Sequence, residues 1–195
     1  MKRLDRVLQQ GKQLRVLGID DAPFDKLSDQ TVNVSGIVCS NTRFEGMLWM
    51  EAQRDGDDAT AALIKGIGQS KFHEQLHVIL LDGIAIGGFN IIDLPLLSES
   101  LGLPCIAVMR KHPNLEAVDL ALRNFEDYER RRNLVSKAGE IYQSDDFVYQ
   151  VAGCSSEDAA QVLRRATDTG KVPEALRLAH LIGSAVKLGE SGKRA

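Results

Sequence analysis

The sequence predicts an α/β fold: a mixed sheet of three antiparallel strands followed by parallel strands, flanked by helices. Three observations predict it. First, Leu14 to Asp20, Thr31 to Cys39 and Phe44 to Ala52 follow one another across short polar breaks, as an antiparallel meander requires. Second, Leu76 to Leu81 and Pro104 to Met109 are continuous apolar runs, which suit strands covered on both faces. Third, a helical segment lies between those two runs, and a strand–helix–strand unit forms a parallel, right-handed crossover.

Each element has a local reason. In V-L-G-I-D-D-A-P-F, Val16 to Phe24, an apolar strand runs into two carboxylates, and Pro23 ends it. Taken alone, that stretch fits an Asp-rich turn as readily as a functional strand end. In Thr31 to Cys39, Val32, Val34, Gly36 and Val38 alternate with Asn33 and Ser35, a period of two. Phe44 to Ala52 suits its hairpin partner, although the pattern also reads as helical. Asp55, Asp57 and Asp58 precede a helix at Ala59 to Ile67, where capping and the helix dipole favour acidic residues. After Asp82-Gly83, the pair Gly87-Gly88 permits tight backbone or close approach of a ligand. Helices are expected at Ile91 to Leu101, Leu115 to Arg123 and Phe125 to Lys137. An edge strand or strand pair is expected at Ile141 to Val151. Ser155 to Thr167 begins with capping residues, and Pro173 opens a last helix to about Leu188. The chain reads as one domain over residues 1–195, with 1–13 and 189–195 expected to be flexible.

Composition narrows the classes. The 195 residues suffice for one sizeable core, and 44% hydrophobic with 26% charged residues is ordinary for a globular protein. A net charge of −3 carries no polybasic signal, though a local basic patch would suffice for nucleic acid. Cys39, Cys105 and Cys154 are odd in number and widely spaced, which speaks for buried thiols rather than disulfides or zinc. The N-terminus lacks a secretory apolar region and no run spans a bilayer, so a cytoplasmic protein without a membrane partner is expected.

Three acidic positions carry the chemistry. Asp20 ends the first strand, Asp58 (or Asp57) starts a helix, and Asp82 ends a buried strand. Carboxylates at the ends of adjacent strands repel unless a cation neutralises them, and Mg²⁺ bound by a few carboxylates and water suits phosphate chemistry. On spacing alone, scattered capping and turn aspartates explain the three positions equally well.

The matching stretches are R-V-L-G-I-D-D-A-P-F from Arg15, D-G-D-D-A-T from Asp55, and L-D-G-I-A-I-G-G-F-N-I-I-D from Leu81. G-L-P-C-I-A-V-M-R-K from Gly102 and P-E-A-L-R-L-A-H from Pro173 complete the set. Together they resemble the domain-of-unknown-function family 99 proteins, of the endonuclease dU type, related to endonuclease V in the ribonuclease H-like superfamily. The resemblance covers nearly the whole chain. It implies that Asp20 matches the metal-binding aspartate of the first strand, with Asp21 beside it. The family's glutamate falls near Asp58, unmatched in residue type, and Asp82-Gly83 matches an Asp-Gly pair. Arg110 takes the place of a lysine, with Lys111 following, and His180 ends the matching helix motif.

What the resemblance implies is a metal-dependent endonuclease of DNA repair. Asp20, Asp58 and Asp82 would hold Mg²⁺ or Mn²⁺, with Asp21 or Asp57 near a second ion. His180 would ligate or move a proton; read alone, it is an ordinary helix-face histidine. Arg110 and Lys111 would meet phosphate, and Gly87, Gly88, Phe89 and Asn90 would admit a flipped base. Arg130 to Arg132 would track a nucleic-acid backbone or form a solvated face. The P-Y-I-P wedge of endonuclease V has no counterpart in M-L-W-M-E-A-Q-R-D, so a hypoxanthine preference does not carry over. Deoxyuridine in DNA is the implied lesion. The alternatives are a nuclease of the same fold acting on RNA or structured DNA, and a non-catalytic nucleic-acid-binding protein.

Overall fold

The computed structural model describes residues 2–192. The N-terminal meander forms as expected, from β1 (Arg15–Asp21), β2 (Thr31–Ser40) and β3 (Arg43–Gln53), all antiparallel. The extended, not helical, reading of β3 holds because its residues pair along the whole length of β2. Next come α2 (Ala59–Gly68), β4 (Val78–Asp82), α3 (Leu94–Leu101) and β7 (Cys105–Met109). β1 pairs with β4, and β4 with β7, both in parallel. The crossover predicted from the two apolar runs is therefore present. Val78, Ile79, Leu80 and Leu81 are each at most 1% exposed, because both faces of β4 are covered. Burying side chains of this size contributes about 1.5–3 kcal/mol each.

Two helices, α4 (Leu115–Leu122) and α5 (Tyr128–Lys137), follow β7 and pack on one another. The edge pair is β8 (Tyr142–Ser144) and β9 (Phe147–Ala152), with β9 antiparallel to β7. The chain closes with α6 (Ser156–Ala166) and α7 (Glu174–Leu188). Among the described residues the sheet order is β3-β2-β1-β4-β7-β9-β8.

Two cores lie on opposite faces of this sheet. One gathers Val16, Ile37, Val78 and Ile106 under α6 and α7, with Ala159, Leu163, Ala175 and Leu176. The other gathers Leu17, Ile19, Val34 and Ile79 under α2 and α3, with Leu63, Ile67, Leu94 and Leu97. Helix α7 lies tight on β1: a Cβ at Gly18 would sit 2.7 Å from the Ala175 Cβ and carbonyl oxygen.

Two expectations need correction, and a third falls partly outside the described residues. Residues 2–13 do not form a loose arm: α1 (Lys2–Gln9) buries Leu4 and Val7 in the core. Arg165 donates to the carbonyls of Val7 and Lys12, which fastens the segment to α6. Leu4, Val7 and Leu8, spaced i, i+3 and i+4, make one apolar helix face, which the polar composition concealed. Residues 189–195 are only partly in view. Gly189 caps α7 with φ +86°, while 193–195 lie outside the described residues. Lastly, the segment after Asp82 is a small two-stranded hairpin before α3, formed by β5 (Ala85–Ile86) and β6 (Asn90–Ile91). Its two glycines, at φ +57° and +93°, make the tight turn expected of them, while the expected helix start at Ile91 falls in β6 and the helix begins at Leu94.

Candidate active site

The parallel register Ile19↔Leu81 makes Asp20 and Asp82 neighbours at the ends of β1 and β4. Residues at equivalent register on adjacent strands point to the same face. Asp20 is 7% exposed, and its Oδ2 lies 3.0 Å from Nδ1 of His180 on α7. Asp20 Oδ1 accepts from the Asp21 amide at 2.9 Å. Arg110, just past the end of β7, approaches Asp82 Oδ2 at 3.6 Å. Four of the sequence-predicted residues thus converge at adjacent strand ends.

Burial, then the charges of Asp82 and Asp21, push the Asp20 carboxyl up to about 7, against the opposing hydrogen bond and charge of His180. Burial raises Asp21 too; the Gly87 amide opposes this, and Asp82 adds to it. A buried carboxylate beside two others holds its charge poorly unless a cation arrives. Asp21 points away from Asp20, as alternate strand residues do, and its Oδ2 accepts from the Gly87 amide at 2.6 Å. It anchors the glycine turn.

The site opens into a cleft of about 200 Å³ lined by Asp82, Met109, Arg110, Lys171, Leu176 and His180. Lys171, which precedes α7, pairs with Asp146 at 2.6 Å on its wall. Sequence reading missed Lys171, because nothing local distinguishes it from other loop lysines. Lys111 is exposed and lines neither this cleft nor the larger cavity that shares Asp82 with it.

Asp58 does not join the carboxylates. Its Oδ1 accepts from the Gln53 amide at 3.0 Å and the Asn90 side chain at 2.7 Å, closing the β3–α2 turn. The expected ligand role is corrected accordingly, since the turn's unpaired amides claim this side chain. Asp57 faces solvent and pairs with Arg130 at 3.3 Å.

The expected base pocket is corrected as well. Asn90 is fully buried; its amide donates to Gln53 O and Asp58, and its oxygen accepts from Ala59 N. It has no edge to offer a ligand. Gly88 packs on Asp55, whose Oδ1 accepts from the Phe89 amide at 2.8 Å. Phe89 alone of the four lines the larger cavity, of about 550 Å³. That cavity lies between the ends of β4 and β7 and helices α4 and α5, with Ile84, Ile91, Leu115, Leu122 and Val135 in its walls. Asp82 and Met109 line both spaces. Arg131, far from a solvated face, is 5% exposed and donates to the carbonyls of Phe89 and Asp55 and to Asp127.

Two carboxylates on one face fit a hard cation. Among the described residues no group of three or more His, Cys, Asp or Glu side chains is placed to hold a metal ion. Asp20 and Asp82 suit an ion that keeps water and takes substrate phosphate oxygens, as Mg²⁺ does.

This architecture is the ribonuclease H-like fold of the endonuclease V type. A crystal structure of endonuclease V from Ciona intestinalis with inosine-containing DNA superposes with a TM-score of 0.57 at 15% identity, covering 96% of this chain and 95% of that one. A crystal structure of a protein of unknown function from Archaeoglobus fulgidus superposes with a TM-score of 0.85 at 40% identity, over 89% and 98% of the two chains. A UPF0215 protein from Methanothermobacter thermautotrophicus is 43% identical over 184 residues, 92% of this chain and 90% of its own. Residues 12–187 match the family model Endonuclease dU, and the chain belongs to that family. Among the described residues no helix is long and apolar enough to cross a membrane.

Proposed function

We propose that the protein is a metal-dependent endonuclease that hydrolyses a phosphodiester bond in DNA near a deaminated base, deoxyuridine first. The observation that carries this reading is the adjacency of Asp20 and Asp82 at paired strand ends, with His180 on one and Arg110 on the other.

Asp20 and Asp82 would hold Mg²⁺ or Mn²⁺. Such an ion supplies a water of lowered pKa and stabilises charge on the leaving oxygen. In the tautomer protonated at Nδ1, His180 would donate to ionised Asp20, leaving Nε2 as the acceptor for a proton from the attacking water. Arg110 and Lys171 border the same cleft and would hold the phosphates flanking the scissile bond. The 550 Å³ cavity shares Asp82 with that cleft and would take the flipped base against apolar walls. The buried free thiols of Cys39 and Cys105 suit a reducing, cytoplasmic setting.

The test is a panel of single- and double-stranded DNA and RNA oligonucleotides carrying uracil, hypoxanthine or unmodified bases, incubated with Mg²⁺ or Mn²⁺. Cleavage of uracil-containing DNA by the native protein, lost in Asp20→Asn and Asp82→Asn with binding retained, is the expected result. No cleavage of any substrate would overturn the reading; cleavage of RNA alone would replace DNA as the substrate.

A further inference from the structure

The 550 Å³ cavity has mostly apolar walls, yet Gln150 on β9 lines it and is only 4% exposed. Buried amides ordinarily spend both ends on hydrogen bonds. Gln150 spends one. Its Nε2 donates to the Gly139 carbonyl at 2.8 Å, just past the end of α5. Its Oε1 takes no hydrogen bond from the described residues. The Gly139 contact also decides the orientation of the amide: the nitrogen is held by the backbone, and the oxygen is the end left for the cavity.

Resting on the reading that the protein acts on a deaminated base, we infer that Gln150 is the residue that reads that base, through Oε1 accepting the ring N–H that deamination creates. An amide oxygen accepts and cannot donate. Uracil and hypoxanthine present a ring N–H beside a carbonyl. Cytosine and adenine carry a lone pair at the same ring nitrogen, which would face Oε1 lone pair to lone pair. A buried acceptor of fixed orientation therefore separates a deaminated base from its amino parent. Volume does not, since the cavity holds either ring size.

The site lies within reach of the cleft. Ala107 pairs with Gln150 and Val108 pairs with Asp82, so Gln150 sits two strands away from Asp82, roughly 10 Å at the usual strand spacing, and points to the opposite face of the sheet; the cavity that both residues line joins them round the strand ends. A base drawn out of its stack would pass round the end of β7, beside Met109, into the cavity while its phosphate stayed at Asp82. Thymine at N3 and guanine at N1 carry the same ring N–H beside a carbonyl, and their exclusion falls to pairing. Thymine opposite adenine is held in the stack, whereas uracil opposite guanine is mispaired and costs less to flip.

The experiment measures fluorescence anisotropy of single-stranded oligonucleotides, built otherwise of adenine and cytosine alone, that differ at one position: deoxyuridine, N3-methyldeoxyuridine or deoxycytidine. It uses the full chain in EDTA, so that binding is read without cleavage. Wild-type protein is expected to prefer deoxyuridine over both others by about 10-fold or more, because a site built for an N–H rejects analogues lacking it. Gln150→Leu and Gln150→Ala are expected to bring the three within about 2-fold, with unmodified-strand binding and thermal melting retained. Equal wild-type affinity for deoxyuridine and deoxycytidine, or an undiminished preference in both folded variants, would overturn the role of Gln150 while leaving a nuclease intact. Absence of binding and cleavage on every nucleic acid would instead remove the functional reading on which it rests.

Discussion

Asp20 on β1 and His180 on α7 meet at 3.0 Å across 160 residues of sequence. The contact makes the docking of the last helix a condition for completing the site. It also fixes the imidazole, with Nδ1 committed to the carboxylate and Nε2 left over. His180→Ala is expected to lower the cleavage rate about 100-fold, the usual scale for loss of a positioned proton acceptor. Glutamine at the same position should recover little, since it cannot take up the proton. A rate for His180→Ala within 3-fold of the native protein, measured at saturating metal, would remove His180 from the chemistry.

The raised Asp20 carboxyl makes stability depend on pH in a definite direction. Its folded value, about 7, lies above the ordinary 3.8. The native state therefore binds this proton more tightly than the unfolded chain. The stabilisation is complete below about pH 4 and is lost as pH rises through about 7. The linked energy is on the order of a few kcal/mol. In EDTA, Asp20→Asn should thus melt at a higher temperature than native protein at pH 8, with the gap closing by pH 5. Mg²⁺ should stabilise the native protein at pH 8 and leave Asp20→Asn unmoved. A variant gap that does not change with pH would contradict the assignment.

The sheet was legible because it rests on local signals that agree. β4 and β7 are apolar runs of strand length, and the parallel crossover follows from the helix between them. Asp20 and Asp82 were legible for the same reason, as charges that end such runs. Asp58 misled because a helix start favours an acidic residue whatever else is near, and its real partner, Asn90, lies 32 residues away in sequence. Asn90 misled in the same way, by sitting in a glycine-rich turn while its amide held that turn together. Arg131 sits between two arginines that face solvent, and only the tertiary fold selects it for burial. Gln150 and Lys171 carry no local pattern at all. Their significance comes from which cavity the completed sheet brings them to.

Arg131 joins three segments that are otherwise separate. Its guanidinium donates to Phe89 O, to Asp55 O at 2.7 Å and to Asp127 at 2.6 Å, and it stacks 4.2 Å from the Phe125 ring centroid. Removing it leaves two loop carbonyls without this donor and Asp127 with Arg130 alone. Arg131→Ala is expected to cost about 3 kcal/mol in urea unfolding. Arg131→Lys should recover less than half of that, because a single ammonium cannot reproduce the planar fork. The same variants should weaken selectivity for the modified base more than cleavage itself, since Phe89 lines the larger cavity. A loss below about 0.5 kcal/mol would show that these bonds are replaced by water.

Gly18 sets how closely α7 approaches β1. Its φ is not positive, so the glycine is required by space and not by backbone conformation. A methyl group there would lie 2.7 Å from the Ala175 Cβ and carbonyl oxygen, well inside contact distance. Neither atom can rotate away, so α7 must shift. Overpacking of this kind costs about 1–3 kcal/mol. The shift would also draw His180, five residues along the same helix, away from Asp20. Gly18→Ala is therefore expected to lose activity beyond what its stability explains, about 10-fold or more at a temperature where the variant is fully folded. The companion change Ala175→Gly removes one of the three clashing atoms, leaving the backbone carbonyl, and should restore part of both losses. Full activity in folded Gly18→Ala would show that the Asp20–His180 contact tolerates displacement of α7.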